Sequence, residues 1–141
     1  LIDIDSQANA TTGLGFRSEH SAITIYQCLI DGIDPHSAIC LTSRENYFLL
    51  PGSMDVAGAA VELLSMPQRE FQLFNLIQKV AHEYDYVLID CPPSLGILTI
   101  NGLVAAQKII IPVQCEYYAL EGLSQLLRTI GLVQEHISAG T

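Results

Sequence analysis

The stretch Tyr86-Val87-Leu88-Ile89-Asp90-Cys91-Pro92-Pro93-Ser94 limits most strongly what this chain can fold into. An unbroken apolar run closed by an acid reads as a strand buried on both faces of a parallel sheet. Proline cannot continue a ladder, so the strand should end near Asp90. A carboxylate at the carboxyl end of a central parallel strand stands where open α/β sheets bind ligands. Such an acid either helps to hold a divalent cation or simply caps the following loop.

The opening of the chain has a related design. Leu1-Ile2-Asp3-Ile4-Asp5 reads as the tail of a strand, and a period of two puts Asp3 and Asp5 on the same side. Two acids on one side are costly in a packed core unless paired or near a cation. Both are therefore expected at the sheet's edge near a ligand, with capping of the next turn as the alternative for each. Residues 6–15 form a small, polar loop that suits a mobile ligand loop. Its Gly13-Leu14-Gly15 lacks the third glycine of a dinucleotide fingerprint.

The remaining punctuation sets the order of elements. A helix is expected over 21–30, stopped by Asp31-Gly32, and Asp34-Pro35 starts a turn. Tyr47-Phe48-Leu49-Leu50 reads as a second buried strand ended by Pro51-Gly52. Ser53-Met54-Asp55 supplies caps for a helix through Val56, Ala59, Ala60, Leu63 and Leu64, which Pro67 breaks. A longer amphipathic helix carries Leu73, Leu76, Ile77, Val80 and Tyr84 on one face and leads into the Tyr86 strand. After the turn at Ser94-Leu95-Gly96, a helix is expected over 98–106, although Asn101-Gly102 weakens it. Residues 108–113 read as another buried strand. A last helix starts near Tyr118, with Ala119, Leu123, Leu126, Ile130, Val133 and Ile137 on one face, and residues 138–141 read as a loop. This alternation predicts one α/β domain over 1–141, a mostly parallel sheet flanked by helices with right-handed crossovers.

Composition narrows the function. With 141 residues, half of them hydrophobic and 15% charged, the chain can bury a core. No apolar run approaches the ~20 residues of a membrane span. Cys28, Cys40, Cys91 and Cys115 are scattered without a C-x-x-C pair, so they read as buried small hydrophobes in a reducing cytosol. A net charge of −9 with only six basic residues argues against a general nucleic-acid surface. The chain starts at Leu1 inside a strand, so an N-terminal truncation is expected.

Three motifs in order carry a family resemblance. Ile2-Asp3-Ile4-Asp5-Ser6-Gln7-Ala8-Asn9-Ala10-Thr11-Thr12-Gly13-Leu14-Gly15 resembles the switch I segment of the ParA/Soj chromosome- and plasmid-partitioning ATPases. Tyr84-Asp85-Tyr86-Val87-Leu88-Ile89-Asp90-Cys91-Pro92-Pro93-Ser94-Leu95-Gly96 is similar to that family's Y-D-x-x-x-x-D-x-P-P-S-L-G. Ile111-Pro112-Val113-Gln114-Cys115-Glu116-Tyr117-Tyr118-Ala119-Leu120-Glu121-Gly122-Leu123 resembles its P-x-x-x-E-x-x-A-L-E-G-L. The resemblance spans nearly the whole chain. MinD, the cell-division regulator, is a cousin whose corresponding loop lacks the N-A-T-x-G-L-G wording.

The resemblance implies a P-loop NTPase-like α/β/α layering, incomplete at both ends, and a protein that binds ATP and Mg²⁺ and pairs two subunits around two nucleotides. By position, Asp5 would orient or activate the attacking water and Asp90 would hold Mg²⁺ through a water. Asp3 would lie near the metal and Asn9 near the phosphates. Pro93, Ser94 and Gly96 would form switch II. A homodimer, a centromere-binding ParB-like partner and a cytoplasmic, nucleoid-associated location are implied, with DNA contacted through regions outside these residues. Ser6 and Ala8 depart from the family's usual Pro and Gly and put the switch I backbone in question. The family's K-G-G-x-G-K-T-T phosphate loop is not among the 141 residues, so this stretch alone is expected to lack ATPase activity. Three other readings remain open: a MinD-like positioning ATPase, a relative of nitrogenase iron protein, and a non-catalytic module derived from an ATPase.

Overall fold

The computed structural model describes residues 1–17, 23–113 and 119–139. Its regular strands are β1 (Ile2–Asp3), β2 (Cys40–Leu41), β3 (Phe48–Leu49) and β4 (Ile89–Asp90). Parallel β1 and β4 place Ile2 opposite Ile89 and Asp3 opposite Asp90. The backbone of residues 1–4 bonds alternately to either side. Ile2 and Ile4 N–H donate to the Leu88 and Asp90 carbonyls at 2.7 and 3.0 Å, whereas Asp3 N–H donates to the Leu50 carbonyl at 3.2 Å. Leu50 thus bridges to Ile2 in the parallel sense just beyond β3, and β3 pairs antiparallel with β2. The extended segments therefore lie in the order β2–β3–β1–β4, with β1 inside the sheet.

The helices are α1 (Asn9–Gly13), α2 (Ile25–Ile30), α3 (Val56–Glu62), α4 (Gln72–Gln78), α5 (Ile97–Ala105) and α6 (Ala119–Ala139). Thr24 starts α2 with a capping box. Its hydroxyl accepts from Tyr26 N–H, and the Gln27 side chain accepts from Thr24 N–H. That cap begins the helix later than the expected residue 21; residues 18–22 lie outside the described region. In α3 and the 3₁₀ turn after it, Val56, Ala59 and Leu63 are fully buried while Leu64 faces out. Leu73, Leu76 and Ile77 of α4 are buried as the periodicity predicts. The helix is shorter than expected, because it passes into a 3₁₀ turn at Ala81–Glu83. These faces meet Ile2, Ile4, Ile25, Leu29 and Leu50 in one core, and α5 packs against both α4 and α6.

Several expectations need correction. The run before Asp90 is not buried on both faces: Tyr86 is 87% exposed, Leu88 is about half exposed, and only Ile89–Asp90 is regular. Residues 108–113 form no strand, and Ile110 is 85% exposed. The reason is shared. Apolarity records what a segment is able to bury, but a ladder needs a neighbour with free N–H and C=O groups. Among the described residues, β4 has such a neighbour on one side only and residues 108–113 have none. Strand β2 was not anticipated, since Cys40-Leu41 is too short to show a pattern. Helix α6 runs through Ala139 where a loop was expected from Ser138. On it, Leu123, Leu126, Ile130 and Val133 are half-buried, as the spacing predicts, and so is Thr129; the side chains of Ala119 and Ile137 lie outside what is described. No described helix is long and apolar enough to cross a membrane.

Candidate functional site

Three loops leave the carboxyl ends of the parallel segments on one side of the sheet. They follow β1, Leu50 and β4; Thr11 and Gly52 join the first two, and Asp3 and Asp5 lie near enough to Asp90 to act on its charge. Asp5, half-buried at the end of the first segment, accepts the Gln7 N–H on Oδ1 at 3.0 Å. It therefore does cap its turn, with one oxygen; among the described residues no donor reaches the other. Ala8 then takes φ 49° and opens α1. That left-handed conformation favours glycine, so Ala8 holds it at some backbone strain. Asn9 is the exposed first residue of α1.

Asp3 does not lie at an exposed edge of the sheet, the position expected of both acids, although it pairs opposite Asp90. It is fully buried, and its carboxylate is committed to the protein. Oδ1 accepts the Asp5 N–H at 3.1 Å, and Oδ2 accepts the Thr11 N–H at 2.8 Å and the Thr11 hydroxyl at 2.7 Å. The Thr11 hydroxyl oxygen in turn accepts the Gly52 N–H at 2.9 Å. This is how two acids on one side of a buried strand are tolerated: donors, not a cation, satisfy the inner one. Gly52 is required by the close approach, because a Cβ there would lie 2.9 Å from the Asp3 carbonyl oxygen.

Asp90 is half-buried opposite Asp3. Burial first, and then the charges of Asp3 and Asp5, push its pKa above the ordinary carboxylate value. Among the described residues, no N–H or O–H donates to its side chain. Nor do three His, Cys, Asp or Glu side chains converge into a group able to hold a metal by themselves. A single carboxylate with raised proton affinity fits a hard cation that takes its remaining ligands from water and phosphate, as Mg²⁺ does.

Pro93, Ser94 and Gly96 are exposed in the loop after β4. The Thr99 hydroxyl holds that loop by donating to the Pro92 and Ser94 carbonyls. Behind it, Cys91 packs so tightly on α5 that a Cβ at Gly102 would lie 2.5 Å from its sulfur. Burial pushes the thiols of Cys28 and Cys91 up to about 11, which suits inert core residues. Cys115 lies outside the described residues. Thr11, Gly52 and Thr99 had not been singled out. Thr11 and Thr99 looked like ordinary small polar residues, and Gly52 like half of a turn; their partners are distant in sequence.

A family model described as "AAA domain" matches residues 1–140. The chain belongs to this AAA-domain family, on its ParA/Soj side. It is 49% identical over 138 residues to the sporulation initiation inhibitor protein Soj of Bacillus subtilis, covering 98% of this chain and 54% of that protein. It is 46% identical to the chromosome partitioning protein ParA of Myxococcus xanthus, covering 98% of this chain and 49% of that protein. The chain thus spans about half the length of the curated relatives it matches. Among solved structures, it resembles a cobyrinic acid a,c-diamide synthase from Mycobacterium smegmatis with bound ATP analog and magnesium. The TM-score is 0.89 and the identity 41%, over 95% of this chain and 55% of that one. The expected ParA/Soj resemblance and P-loop α/β fold both hold.

Proposed function

We propose that these residues are part of one ATPase domain that hydrolyses Mg²⁺-ATP in DNA partitioning. The observation that carries this reading is the placing of Asp90 beside Asp3 and Asp5 at the carboxyl ends of two parallel strands, where burial and then the two acids raise its pKa. Such a cluster of acids lowers its electrostatic cost by taking up a cation. The synthase from M. smegmatis, with its ATP analog and magnesium, supports the choice of ligand. Bound Mg²⁺ would neutralise charge on the β- and γ-phosphate oxygens.

In this reading Asp90 holds the cation through a water. Asp5, braced by Gln7 N–H on one oxygen, uses the other to orient the attacking water and receive its proton. Asn9 stands toward the phosphates, and Pro93, Ser94 and Gly96 form the loop that responds to the γ-phosphate. The protein works as a homodimer with a ParB-like partner in the cytoplasm, on the nucleoid, and touches DNA through residues outside this stretch. The 141 residues alone do not turn over ATP, because no phosphate-cradling glycine loop with lysines is among them.

The test is Asp5→Ala in the product of the whole reading frame that contains these residues. ATP turnover should fall about 100-fold or more while ATP binding persists, the range expected for loss of a group that handles the proton. Unchanged turnover removes Asp5 from the reaction.

A further inference from the structure

We infer that Asp3 is a positioning residue, which contacts neither nucleotide nor metal: with the Thr11 hydroxyl as relay, its carboxylate clamps the Asp5 loop to the Gly52 backbone. The inference rests on the catalytic reading of Asp5. Its basis is the bonding pattern. Asp3 and Thr11 are 0% and 1% exposed, so neither can reach a ligand in this arrangement. Gly52 N–H can only donate, so the Thr11 oxygen accepts there and its proton must go to Asp3 Oδ2. The same oxygen takes Thr11 N–H from the start of α1, while Oδ1 takes Asp5 N–H. One carboxylate therefore fixes both ends of the segment from Asp5 to Thr11, and the hydroxyl ties that segment to the loop after Leu50. A chain of bonds of this kind, shielded from water, strengthens each member. Gly52 completes the clamp because any side chain there would strike the Asp3 backbone.

The clamp sets where Asp5 points. Its loss should lower turnover more than it weakens substrate binding, because small misplacements of a catalytic group are costly. Thr11→Val keeps the shape but leaves Gly52 N–H and Asp3 Oδ2 each short of a partner. Asp3→Asn replaces one of two accepting oxygens with an N–H₂ group that faces donors. In the whole reading-frame product, assayed with Mg²⁺-ATP, both variants should lower kcat about tenfold or more with KM changed less than about threefold. Thr11→Ser, which retains the hydroxyl, should recover most of the rate lost in Thr11→Val. Amide exchange at Thr11 and Gly52 should accelerate about tenfold or more in Thr11→Val, while Leu76 and Ile77 in α4 stay protected.

If Asp5→Ala abolishes turnover and Thr11→Val retains it, the clamp is refuted and the catalytic reading stands. A tenfold rise in KM at unchanged kcat would instead make Asp3 and Thr11 ligand contacts. If the parent protein turns over no ATP, the catalytic reading falls, and unchanged exchange at Thr11 and Gly52 then sinks the clamp as well. Should Asp3→Asn fail to fold, the Thr11→Val and Thr11→Ser pair decides.

Discussion

Asn101 offers a quantitative test of how the loop after β4 is anchored. Its side chain is 1% exposed in the middle of α5. Oδ1 accepts the Leu73 N–H at 3.0 Å, and Nδ2 donates to the Arg69 and Ile97 carbonyls at 2.8 and 2.9 Å. Leu73 is the second residue of α4, so its N–H has no partner within the helix. In Asn101→Ala that buried donor is orphaned at a cost of about 1–3 kcal/mol. The Arg69 carbonyl loses a partner at part burial, about 0.5–1 kcal/mol. The Ile97 bond lies within α5 and its loss costs little. The expected loss is about 3 kcal/mol, which corresponds to a fall in Tm of roughly 9 °C for a chain the length of the relatives.

Urea and thermal unfolding measure this loss, and exchange at the Leu73 amide locates it. Asn101→Leu restores bulk without polarity and should remain about 2 kcal/mol below the parent, because Leu73 N–H is still unpaired. A loss below about 1 kcal/mol in Asn101→Ala, or unchanged protection of the Leu73 amide, would refute the reasoning. The consequence for the site is local. Thr99 lies on the same helix and holds the Pro92 and Ser94 carbonyls, so a loosened α5 should loosen the loop that carries Pro93, Ser94 and Gly96.

Two further outcomes follow from the structure. Gly102→Ala should cost about 1–3 kcal/mol by overpacking against the Cys91 sulfur, and Cys91→Ala in the same chain should restore most of it; a double variant no more stable than Gly102→Ala would exclude this contact as the cause. His36 is held by Glu83 and Asp34, each 2.7 Å from a ring nitrogen, and these bonds raise its pKa above the ordinary 6.5. Lys79 and His82 are the other charged neighbours of the two acids. The stabilisation from His36 is therefore fully present below pH 6.5 and fades as pH rises through the raised folded value. His36→Gln should flatten that part of the urea midpoint against pH, and an unchanged profile would count against a role for the His36 bonds to Asp34 and Glu83.

The sequence by itself determined the local decisions. Pro51 and Pro92 end extended segments, Asp34-Pro35 starts a 3₁₀ turn, and the apolar spacing marks the faces that are buried in α3 and α4 and half-buried in α6. These depend on proline's missing N–H and on helical period, which act over a few residues. The carboxyl-end acids Asp5 and Asp90 were also legible, because an acid that closes an apolar run stands out. Only the tertiary structure decided what happens between distant segments. It made Asp3 a buried acceptor by bringing Thr11 and Gly52 to it, and it turned Asn101, apparently a weak point in a helix, into a link between α4 and α5. It also left residues 108–113 out of any ladder despite their strand-like composition. A hydrogen bond needs two partners in register, and a pattern along one segment carries only half of that information.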